Sequence, residues 1–281
     1  MGQEQRGGQV SCMGAARGPA ARAVVRLMEI AGGGSAVGRR AIRHDDGLQD
    51  DANLWRRLCL RLGLSIEVER GCLDDLMRPG PLVVATSAPP SLIAPLVLGH
   101  ILAARPGEFR ILAPRALVAS GLVAAAGLDP WLLAVAPQGE AGSAAVNRAA
   151  LDRACAVLRR GGAVVCSDAR NGDNSGARFG PYRGLERPVD GRARSLAGAV
   201  AGAGGKTGQA PGPAATVVHV RLDCDGVYLA GLAARIHPTL GLGLMLPVMR
   251  RGCDRSVRVS IGAPAPDVQD VMAFRHTASY A

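Results

Sequence analysis

The chain has 281 residues, 48% of them hydrophobic, and it carries 33 Lys+Arg against 23 Asp+Glu, a formal net charge of +10. That apolar fraction excludes a disordered chain and can fill one large domain or two small ones. Lys206 is the sole lysine and only 3% of residues are aromatic, so the charge is largely arginine, as a GC-rich genome produces, with few rings to stack on bases. It fits an anionic membrane surface or an acidic partner, and no nucleic-acid recognition motif accompanies it.

Seven cysteines form no C-x-x-C pair and have no His at ligand spacing, which predicts reduced thiols in a cytoplasmic protein and no metal site. No export or lipidation signal is visible in the first 30 residues. The uncharged run over 80–104 is interrupted by Pro89, Pro90 and Pro95, so it reads as strand, turn and helix rather than a membrane span.

Residues 1–52 read as a basic N-terminal segment, partly flexible, with a short helix over 21–30. Asn53 is the expected N-cap of a helix whose apolar face carries Leu54, Trp55, Leu58 and Leu62, stopped at Gly63. A strand over 66–68, a helical turn over 74–77 and a buried strand over 82–85 follow. The pattern then alternates: helix 92–104, strand 109–112, helix 116–126, strand 131–135, amphipathic helix 147–160, and strands 163–166, 216–222 and 257–261. This predicts an α/β fold, a single layered domain over 53–268 with a central, mostly parallel sheet flanked by helices, and a tail over 269–281. Two loops interrupt it, over 168–195 and 202–213. Residues 170–195 hold six arginines against Asp173, Glu186 and Asp190.

Gly204-Gly205-Lys206-Thr207 is not a phosphate loop, because Val200 stands where the first glycine is needed. The run from Asn171 to Gly176 resembles a calcium loop for six positions, but the loop's twelfth position is Tyr182 and not a bidentate Glu. Motifs alone leave the function open.

The larger arrangement does resemble a known family. GPLVVA before a Pro-rich turn and an apolar helix, then FRILAPRALV, NRAALDRACAVLRRGGAVV, AGLAARIHPTLGLGLMLP and SVRVSIGAPAP, looks like the lysophospholipid acyltransferase superfamily, in its haemolysin-like, ornithine-lipid acyltransferase branch. The similarity spans Leu54 to Pro266. It implies a glycerolipid-acyltransferase-like fold. It also implies transfer of an acyl group from an acyl carrier protein or coenzyme A thioester to a lipid hydroxyl or amine, with no bound cofactor. The partner would be an acidic carrier or the anionic inner face of the membrane.

The family places a His after the first strand of this motif and an Asp shortly beyond, a general base and the carboxylate that orients it. Here those positions are Ser87 and Ile93, and Arg170 stands where a later segment carries an acid, so the alternative to an acyltransferase is a catalytically inactive homologue that binds lipid, an acyl carrier or a partner enzyme. His219 is the best substitute base by position, though a strand histidine is more often a satisfied core group. His100 lies too far along its helix, and His237 matches a structural turn. Arg115 matches a basic position suited to a phosphate or carboxylate, and Asp168 and Arg170 flank the site strand.

Overall fold

The computed structural model describes residues 18–31, 51–87, 93–119, 123–124, 126–136, 142–167, 215–223, 250 and 253–264. Within them the α/β expectation holds. Helices α1 (Pro19–Ala31), α2 (Asp51–Arg61), α3 (Asp74–Met77), α4 (Ile93–Leu102), α5 (Arg115–Val118) and α6 (Ser143–Arg159) accompany seven strands: β1 (Ser65–Arg70), β2 (Leu82–Ser87), β3 (Phe109–Pro114), β4 (Leu132–Val135), β5 (Ala163–Ser167), β6 (Thr216–Asp223) and β7 (Ser256–Ile261). They form one sheet in the order β1-β7-β6-β2-β5-β3-β4. All pairs are parallel except β6 with β7.

Strand composition follows strand position. Central β2 and β5 read LVVATS and AVVCS, continuous apolar runs of the kind that parallel strands buried on both faces require. Peripheral β7 alternates Ser256, Arg258 and Ser260 with buried Val257, Val259 and Ile261, so only one of its faces meets the core.

Two apolar clusters lie on opposite faces of the sheet. On one face Leu82, Val84, Ile111, Val165, Val218 and Val220 pack with α2 and α4. On the other, Val83, Ala85, Leu112, Val164, Cys166 and Val217 pack with Ala150, Ala154, Val157 and Leu158 of α6. Helix α4 is buried at nine of its ten residues, which explains why its sequence, IAPLVLGHIL, shows no polar stripe. Gly99 lets α2 approach closely, because a Cβ there would overlap the indole of Trp55. Trp55 is itself fully buried against Phe109 and Trp131.

Local differences from the sequence reading have local causes. Helix α2 begins at Asp51, so Asn53 sits inside its first turn instead of capping it. Helix α6 begins four residues before Asn147. That side chain accepts from the Ala136 backbone N–H (2.9 Å) and donates to the Ala136 carbonyl (3.1 Å), closing the end of β4 as a neighbouring strand would. Of the helix expected over 116–126, α5 begins one residue early at Arg115, residues 123–124 are helical as well, and Leu117, Val123 and Ala126 are buried as core. Both predicted loops, the terminal tail and His237 lie outside the described residues.

Candidate functional site

Strands β2 to β6 run parallel, so the segments that follow them leave from one edge of the sheet. The chain crosses from β5 past β2 to β6, while β2 leads the other way towards β3. Such a reversal outside strand C-termini is where open α/β sheets hold ligands. Ser87 ends β2 at this edge, its backbone in register with Arg221 of β6. Arg115 opens α5 directly after β3 and is exposed. With β5 between β2 and β3, it stands two strand spacings, about 10 Å, across from β2. Asp168 and Arg170 follow the end of β5 and lie outside the described residues.

His219 is in register with Ala85, which is in register with Cys166, forming one rung across β6, β2 and β5. Strand alternation puts it on the α6 face, since flanking Val218 and Val220 belong to the opposite cluster. Its Cα lies one strand over and two residues back from Ser87, about 8 Å away. Ile93 is elsewhere: 1% exposed, it packs with Val84 and Val220 in the cluster on the other face. The sheet therefore separates Ile93 from His219, and a carboxylate at position 93 would not orient that imidazole.

His219 is 4% exposed, and burial followed by the neighbouring Arg221 guanidinium lowers its pKa to about 4. It is neutral at pH 7, as a base must be, but far below the value near the working pH that makes proton transfer efficient. His100 on α4 is also lowered, by burial and then by Arg56. Among the described residues, no three His, Cys, Asp or Glu side chains converge as a metal site would require. None of the described helices is long and apolar enough to cross a membrane.

No protein-family model, no curated protein and no solved structure matches this chain. The sequence reading missed Arg221, although the alternation His219, Arg221, Asp223 along an otherwise apolar strand marks a polar sheet face.

The His219 environment sets a pH dependence. An unfolded imidazole titrates near about 6.5, so between that pH and about 4 the unfolded chain takes up a proton that the folded chain excludes. The stabilisation is complete above pH 6.5 and is lost as pH falls towards 4. Urea unfolding at pH 7 and pH 5 should show a drop that is smaller by about 2 kcal/mol in His219→Gln. Equal drops in the two proteins would contradict the buried neutral imidazole.

Proposed function

We propose that the chain is an acyltransferase-type protein of lipid metabolism that binds an acyl-carrier or coenzyme A thioester and a lipid surface without turning them over through a His/Asp dyad. The observation that carries this reading is Ile93, held in the core on the opposite sheet face from His219, the buried histidine near the site among the described residues. Ser87 cannot hold a proton near neutral pH, and loss of general-base catalysis removes roughly 10²- to 10⁴-fold in rate. What remains is a sheet edge of the kind that holds ligands, with Arg115 beside it and an arginine-rich segment beginning after β5. Those cations suit an anionic headgroup or an acidic carrier, at the cytoplasmic face of a membrane.

A second reading, turnover with His219 as a relocated base, is favoured by its neutral imidazole two rungs back from the end of β2 on the neighbouring strand. The two readings separate in one assay. Purified protein is incubated with labelled acyl-carrier thioester and a mixed lysolipid and ornithine-lipid acceptor pool. The binding reading predicts transfer at the background rate, unchanged in His219→Ala. Transfer that disappears in His219→Ala would establish the second reading in its place.

A further inference from the structure

Sheet register brings together residues that lie far apart in the chain. Arg221 of β6 is in register with Ser260 of β7, and Ser260 is in register with Arg70 of β1. The three form a single rung across neighbouring strands at spacings of about 4.8 Å. A bulge between Val68 and Arg70 sets the last step of this register. Arg221 and Arg70 are exposed and Ser260 is half-buried between them.

The next rung accounts for most of the nearby acid. Arg258 bonds Asp223 at 3.1 Å and approaches Glu69 at 3.8 Å, and Glu67 is in register with that same arginine. Neither Arg221 nor Arg70 forms an ion pair among the described residues. Arg221 lies close enough to His219 for the two to repel when the imidazole is charged. Two exposed arginines that share one rung with a serine between them offer the planar donors that phosphate oxygens take up.

We propose that Arg221, Ser260 and Arg70 form a binding site for a phosphate group. The two arginines clasp its oxygens from either side and the Ser260 hydroxyl donates from below. The inference deepens the proposed function, on which the identity of the ligand rests: the phosphate belongs either to the acyl donor, which carries a phosphodiester next to its thiol arm, or to a lipid headgroup.

Its test follows the arginine side-chain N–H resonances by NMR in the full chain and, in parallel, measures affinity. The probes are inorganic phosphate, coenzyme A, and phosphatidylcholine vesicles with or without phosphatidate. Arg221→Gln and Arg70→Gln should each weaken binding of the responsive probe roughly tenfold, as loss of one charge-assisted contact implies. Arg148→Gln, on the exposed side of α6, should leave it unchanged. A response to coenzyme A assigns the phosphate to the donor, and one confined to phosphatidate vesicles assigns it to the headgroup. Arginine-dependent binding of inorganic phosphate without either would keep the site and overturn the functional reading. Binding by wild type that is equal in all three variants, or no shift of either arginine with any probe, would overturn the site.

Discussion

Replacing Trp55 with alanine should lower stability by about 3–5 kcal/mol, the cost of truncating a fully buried indole. Trp55 is 0% exposed and joins α2 to the sheet through two rings: its centroid is 5.9 Å from Phe109 and 6.1 Å from Trp131, and those two stack at 4.7 Å. Gly99 of α4 closes over the same indole with no room for a Cβ, so the surrounding backbone cannot collapse into the space left behind. For a domain of this size the loss should appear as a fall in melting temperature of roughly 10 °C. Gly99→Ala should destabilise through the opposite fault, overpacking, by about 1–3 kcal/mol. If Trp55→Ala cost less than about 1 kcal/mol in urea titration, α2 would not pack on the sheet as described.

The second large effect is expected at Arg105, which is 5% exposed at the edge opposite the candidate site. Its guanidinium donates to the backbone carbonyls of Arg78 (3.0 Å), Gly80, Pro106 (3.2 Å) and Gly161 (3.4 Å). The carbonyls of Arg78, Gly80 and Gly161 belong to the segments that enter β2 and β5, and that of Pro106 to the one that enters β3, so one side chain fixes where both central strands begin. Burial lowers its pKa from the usual value, but an arginine remains charged at any physiological pH. Arg105→Met keeps much of the apolar stem and strips the carbonyls of their donor, which should cost about 3 kcal/mol. Arg105→Lys should recover only part of that, because an ammonium cannot reproduce the planar fork. Full recovery by lysine would show that charge alone, rather than donor geometry, holds the two loops.

Sequence made the fold legible wherever local chemistry decides it. The β-branched runs of β2, β5 and β6 could only be buried strands, and the spacing of Ala150, Ala154, Val157 and Leu158 gave α6 one apolar face. Ile93 was legible as an apolar helix position, though not as a residue on the far side of the sheet from His219. That distinction depends on strand alternation in β6 combined with the β2 register. The Asn147 contact to Ala136 and the rung of Arg221, Ser260 and Arg70 were illegible for a related reason. Each is made by tertiary pairing, in the rung across more than a hundred residues of chain, and no local spacing marks it. Asn53 looked like a cap because its residue type favours caps, but Asp51 begins the helix two positions earlier.

The most direct test of the account is equilibrium binding of a fluorescent acyl-carrier thioester to the full chain, with intact thioester quantified after the titration. The account predicts saturable binding that weakens with added salt, since arginines supply the contact, and a thioester recovered unconsumed in the presence of lipid acceptor. Absence of binding, or binding accompanied by acyl transfer that requires His219, would contradict it.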